Sequence, residues 1–351
     1  MKGERITYID AMRGLAMVMV VIHHYFSCIT NHENIFATVF NDAIEIPLFF
    51  FVSGFFATKL LHESVRTTLK EKFRQLIVPA ILMLILYVWI HQIPLMWVIY
   101  NPYKQGYWFT FVLFAFIVIY ICSNHLGRWL NLCSTKINIV NIIVGIIVSY
   151  IAYLCLSWAK IYRTLNLLSA TQYFGYFYFI FGSILFSKRD DIINALNNKR
   201  LLIGGSILLY IIMQTTAALY GTKWLGYFAG LYVLTLRTFP LLIIWVLFNK
   251  YPSLSTQSKI GRCLTFIGRR SLDVYFIHYF ILPGIPTWGA YFNSINAPFV
   301  EYLCAIALAV PVIFASLGIG SILRLSPLTS ELLLGVKCAK TKQILPSNAE
   351  S

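Results

Sequence analysis

Along this chain, apolar runs of helix-spanning length alternate with short polar connectors. A helix that crosses a bilayer needs about 20 mostly apolar residues. Ten segments meet that need, at roughly 9–29, 36–61, 74–98, 107–124, 137–157, 169–187, 201–220, 225–249, 264–289 and 298–323. The pattern predicts an all-α polytopic membrane protein with about ten transmembrane helices. Residues 1–336 read as one transmembrane domain and residues 337–351 as a polar cytoplasmic tail, with no room for a separate soluble domain. The first segment follows Lys2 and Arg5 but carries Asp10 and Arg13 and lacks a small-x-small cleavage site. It is therefore expected to stay as a helix and not to leave as a signal peptide. No internal repeat stands out, and no pair of interrupted helices recurs in matching halves as it does in many transporters.

Charge orients the helices. With the N-terminus in the cytoplasm, 22 Lys and Arg residues fall in the inner segments. Only Lys104, Lys160, Arg163 and Lys223 fall outside. Basic residues concentrate in cytoplasmic loops, so the split predicts both termini inside and an even helix count.

Composition agrees. Charged residues are 12% of the chain, against about 25% in soluble domains, which excludes a multidomain soluble protein. With 59% hydrophobic residues, intrinsic disorder is excluded as well. A net charge of +15 would suggest nucleic acid in a soluble chain. Here the cytoplasmic loops account for it, and no nucleic-acid partner is expected. The seven cysteines are scattered without a CxxC or metal-ligand spacing, so they read as small apolar helix residues. No metal is expected.

Ionisable residues inside membrane helices are costly and are candidates for function. The first helix carries Asp10, Arg13, His23 and His24. Arg13 and His24 are eleven positions apart, which is three turns plus roughly 20° at 100° per residue. They share a face, with Asp10 three residues before Arg13, while His23 lies about 80° away. The axial rise from Arg13 to His24 is about 16 Å. A cation at the inner mouth suits a phosphorylated ligand, and an imidazole inside the bundle suits general-base work. A structural Asp10–Arg13 ion pair with a merely hydrogen-bonded His24 is the alternative.

Further along, Asp42 and Glu45 are an i, i+3 pair positioned to border the same cavity as His24, or to face outward at the interface. Ser53-Gly54 sits in a helix without the flanks of a nucleophile elbow and reads as a site of close helix approach. Lys70, Lys72 and Arg74 open the third helix as phosphate ligands or as a positive-inside anchor. Tyr275 and His278 are i, i+3 in an apolar helix, and Trp108-Phe109 stands at a helix end. Arg237 is a lone intramembrane cation with no evident partner.

These residues resemble the acyltransferase 3 family of multi-pass membrane acyltransferases. The family pattern Asp-x-x-Arg-Gly-x-Ala followed by His is present as Asp10, Arg13, Gly14, Ala16 and His24. The Phe-Phe-x-Ser-Gly-Phe signature is present from Phe50 to Phe55, after Pro47. A basic, proline-containing entry to helix three follows, as Lys70, Lys72, Arg74 and Pro79. A late Gly-x-x-Ser-Leu-x-x-Tyr-x-x-His runs from Gly268 to His278, and Trp108-Phe109 fits the family's Trp-Phe position. Two departures stand out: Lys70 where many relatives carry Arg, and Glu45 where relatives often have His.

The resemblance implies transfer of an acyl group, most often acetyl, from cytoplasmic acyl-CoA to a hydroxyl of a sugar, polysaccharide or glycolipid at or across the plasma (bacterial inner) membrane. It implies that Arg13, Lys70, Lys72 and Arg74 hold CoA phosphates. His24, supported by Arg13 and Asp10, deprotonates the acceptor or relays the acyl group. Asp42, Glu45, Trp108, Tyr275 and His278 border the substrate. A transporter or flippase of a sugar, lipid or small acid is the competing reading, and interrupted helices in inverted repeats would mark it.

Overall fold

The computed structural model describes residues 6–30, 34–158, 163–189, 191–192, 200–282 and 285–337. They are helical nearly throughout, with no strand among them. In chain order the main helices are α1 Thr7–Thr30, α2 Ala37–His62, α3 Val65–His91 and α4 Trp108–Trp129. Then come α5 Ser134–Trp158, α6 Tyr176–Ser187, α7 Arg200–Tyr220, α8 Ala229–Lys250, α9 Lys259–Arg269 and α10 Ser271–Ile281. The chain ends in α11 Pro286–Ser294, α12 Pro298–Leu323 and α13 Pro327–Leu334. Among the described residues seven helices are long and apolar enough to cross a membrane: α1 to α5, α8 and α12.

Four expected spans look different in the structure. The sixth, expected over 169–187, is a 3₁₀ turn at Ala170–Gly175 followed by the 12-residue α6. That helix rises only about 18 Å, short of a hydrocarbon core of about 30 Å. The seventh is one helix, α7, but its apolar run covers only Gly204–Ala217. The ninth, expected as one helix over 264–289, is three pieces: α9, α10 and α11. Arg270 leaves helical geometry (φ −118°, ψ 21°) and breaks the chain there. It donates to Asp273 Oδ2 (2.8 Å), Ser321 Oγ (2.8 Å) and the Leu317 carbonyl (2.8 Å). The third span also shifts. It starts at Ser64, whose hydroxyl accepts from the Thr67 amide at 3.3 Å, so Lys70, Lys72 and Arg74 belong to its first turns. It stops at Gln92, which adopts a left-handed conformation (φ 52°), ahead of a short helix at Leu95–Ile99.

The core forms around α1, which buries Ile9, Met12, Ala16, Met17, Val20 and Val21. Beside it, α2 inserts a ladder of phenylalanines. Phe50 stacks on Phe109 (4.9 Å between centroids) and packs at a tilt against Phe116 (4.7 Å). Gly54 allows the close approach expected of it: a Cβ there would lie 1.8 Å from the Phe179 carbonyl oxygen on α6.

Another close crossing joins α1 to α9. A Cβ on Gly268 would stand 1.7 Å from the Asp10 carbonyl oxygen. Gly268→Ala should therefore push α9 off α1. Overpacking of this kind costs about 1–3 kcal/mol, and it should show as a lowered Tm in detergent; an unchanged Tm would mean the two helices separate freely.

At the Arg13 end of the bundle, α13 closes against α3. Arg74 pairs with Glu331, and Lys337, the first residue of the expected tail, pairs with Glu71 at 2.6 Å. Residues 338–351 lie outside the described residues, as do Lys2, Arg5, Lys160 and Lys199.

Candidate active site

Three cavities lie in series beside α1, joined by shared lining residues. The inner one, about 140 Å³, is lined by Arg13, Lys72, Gln75 and Ser53 among apolar groups. Phe49, Phe109, Ser271 and Leu272 lead from it into a neck of about 40 Å³. His24, Trp108 and Tyr279 border both that neck and an outer cavity of about 490 Å³. The outer cavity is also lined by His23, Asp42, Glu45 and Arg237. The helical face shared by Arg13 and His24 thus runs along a passage of three adjoining cavities that share walls, with the cation at one end and the imidazole at the other.

His24 is held at both ring nitrogens. Its Nε2 is 2.6 Å from the Tyr279 hydroxyl and its Nδ1 is 3.2 Å from Ser27 Oγ. The Ser27 hydroxyl also reaches the His23 carbonyl at 3.4 Å. With the proton on Nδ1, His24 donates to Ser27 Oγ and its Nε2 accepts from Tyr279. His278 is fully buried with its ring centroid 5.3 Å from that of His24. Its Nδ1 is bonded to the Val274 carbonyl at 2.8 Å, and Nε2 has no hydrogen-bond partner among the described residues.

The loop before α4 fixes the other wall. The Tyr275 hydroxyl donates to the Gly106 carbonyl (2.9 Å), and Tyr107 donates to the Phe276 carbonyl (3.1 Å). Lys104 is buried and caps the carbonyls of Ile99 (2.9 Å) and Asn166 (3.3 Å). Burial pushes its ammonium pKa down, because a low-polarity setting disfavours charge.

The acidic residues divide. Asp42 and Glu45 both border the outer cavity, each with a carboxylate oxygen 3.4 Å from His23 Nδ1. The ligand atoms of His23, Asp42 and Glu45 lie within 4.8 Å of one another, a spacing that would also accept a divalent cation. Asp10 is buried against α9, where Arg269 Nε approaches it at 3.3 Å, and it lines none of the three cavities.

The expected phosphate ligands divide too. Arg13, over the Phe56 ring at 5.2 Å, and Lys72, bonded to Gln75 at 2.9 Å, line the inner cavity. Lys70 is exposed and lines none of the three cavities, and Arg74 is turned to Glu331. Trp108 and Tyr275 line the neck, while His278 stands behind it.

Sequence reasoning passed over Tyr279 and set His23 aside. Tyr279 is four residues after Tyr275 in an apolar helix, and that spacing was the available signal. His23 reaches the site because the outer cavity is wide enough to take in both neighbouring rings.

A family model described as an acyltransferase domain matches residues 6–318. No curated protein and no solved structure matches the chain. The match takes in every residue of the passage from Arg13 to Tyr279, and with it this integral membrane protein belongs to the acyltransferase 3 family.

Proposed function

We propose that the protein moves an acyl group, most often acetyl, from cytoplasmic acyl-CoA to a hydroxyl of a sugar, polysaccharide or glycolipid at the far side of the plasma membrane. The observation that carries this reading is the passage itself. It joins a basic inner cavity at Arg13 and Lys72 to His24 through an apolar neck. The Arg13–His24 rise of about 16 Å is a distance that an extended pantetheine arm bridges. The CoA phosphates stay with Arg13 and Lys72, and the thioester reaches the neck. In this reading the N-terminus is cytoplasmic, so the inner cavity opens to cytosolic donor and the outer cavity to the acceptor.

In this reading the acceptor hydroxyl displaces the Tyr279 hydroxyl from His24 Nε2, and Nε2 then takes the acceptor's proton. The oxygen attacks the thioester carbonyl, the carbon–sulfur bond breaks, and CoA thiolate leaves and receives the proton from His24. Tyr279 is a positioning residue that aims Nε2 at the neck. The neck's small volume of about 40 Å³ suits a short acyl group.

The test is transfer of label from acetyl-labelled acetyl-CoA into glycan and lipid acceptors by protein in vesicles. Arg13→Gln is expected to raise KM for the donor about 10- to 100-fold, the worth of one charged hydrogen bond of about 1.5–3 kcal/mol, with little change in kcat. No transfer and no CoA binding by the wild type would overturn the reading and favour a transporter.

A further inference from the structure

Arg237 has no role in the donor passage. It stands eight residues into α8, about 12 Å along the axis from Ala229 and about 20 Å from Lys250, which is deep for a cation. Intramembrane charges are normally paired or face a functional cavity. Among the described residues no carboxylate lies within ion-pair distance of Arg237, whose guanidinium stands 6.0 Å from the Phe174 ring. It lines the outer cavity together with Glu45. Glu45 is buried, and its Oε1 faces His23 at 3.4 Å. Its Oε2 has no hydrogen-bond partner, although the residue is near enough to feel the charge of Arg237. One cavity wall therefore offers an uncommitted guanidinium, with five N–H donors, and an uncommitted carboxylate oxygen. A ligand that satisfies both carries an anion and a hydroxyl. His23, between Asp42 and Glu45, offsets the repulsion these acids would exert on such an anion.

We infer that Arg237 binds an anionic group, carboxylate or phosphate, on the acceptor, while Glu45 Oε2 receives a hydroxyl of the same molecule. This rests on the acyl-transfer reading and narrows the acceptor to acidic sugars and sugar phosphates, lipid-linked ones included. Arginine suits the task because its planar fork matches both anions.

The test uses the full chain in lipid nanodiscs and calorimetric titration with three probes: glucuronate, glucose 1-phosphate and glucose. The wild type is expected to bind one of the two anions at least about tenfold more tightly than glucose, a difference of about 1.4 kcal/mol. The tighter anion tells a carboxylate-bearing acceptor from a phosphate-bearing one. Arg237→Gln should abolish the preference and Arg237→Lys should keep part of it. The wild-type ratio needs no variant to fold. Equal binding of the three probes, no binding of any, or a folded Arg237→Gln protein that keeps the preference would overturn the assignment. Acetyl-CoA binding is measured on the same preparations. Donor binding without anion preference sinks the Arg237 assignment alone. Anion preference without donor binding sinks the acyl-transfer reading, and the acceptor assignment with it.

Discussion

Replacing His24 by alanine is expected to lower acyl transfer about a thousandfold, the middle of the 10²–10⁴ range for a positioned general base, while leaving donor affinity unchanged. The separation of the two effects follows from the passage. Arg13 and Lys72, which line the inner cavity, are about 16 Å away along α1, and His24 lines the neck and the outer cavity only. The measurement is label transfer under saturating acetyl-CoA, with equilibrium CoA binding beside it. Tyr279→Phe is the informative companion. It removes the 2.6 Å hydrogen bond to Nε2 but leaves the base in place, so it should cost about tenfold, near the worth of one hydrogen bond of about 1 kcal/mol or slightly more. Full activity in His24→Ala at normal expression would falsify the mechanism.

The largest stability effect is expected at Asp273. It is fully buried on α10 and accepts from Arg270 Nε (2.8 Å), Arg324 Nε (2.9 Å) and Arg324 Nη2 (2.7 Å). Asp273→Ala would leave two guanidinium groups facing each other without their anion. Breaking a buried ion pair from one side costs about 3–5 kcal/mol. Arg324 is partly open to solvent (31%), which places the expectation at about 3 kcal/mol by the same measure. Thermal unfolding in detergent should show a clear drop in Tm. The triple change Asp273→Leu, Arg270→Met, Arg324→Met should recover most of it, because apolar replacement of a whole buried charge cluster is often neutral or stabilising. If the triple variant were as unstable as Asp273→Ala, charge burial would not be the cause. The same helix carries Ser271, Leu272, Tyr275 and Tyr279 into the neck, so loosening its start should also lower transfer.

Much of this was written in the linear order of residues. The spacing of Arg13 and His24 on one helix made their common face readable without coordinates, because α1 is a regular helix from Thr7 to His24. The apolar runs of α1 to α5, α8 and α12 likewise announced themselves, since hydropathy over about twenty residues is a local property. Gly54 was legible as a close approach for the same reason: a glycine next to serine in a phenylalanine-rich helix leaves a gap that a neighbour fills.

What the linear order left open was set by partners distant in sequence. The Arg270 side chain at the break is held by Leu317 and Ser321, more than forty residues away. Asp10 and Arg13 looked like one functional pair, yet Arg269 of α9 approaches Asp10, and of the two only Arg13 lines the inner cavity. Lys70, Lys72 and Arg74 looked equivalent, and the docking of Glu331 on Arg74 together with the rotation of α3 gave only Lys72 to the passage. Tyr279 reaches His24 across 255 residues. A helical membrane bundle with a cation and an imidazole aligned on its first helix is legible in the residue order, because helical period and hydropathy are local. Which charges neutralise one another and which line the cavities depends on which helices meet, and residues far apart in the chain set that.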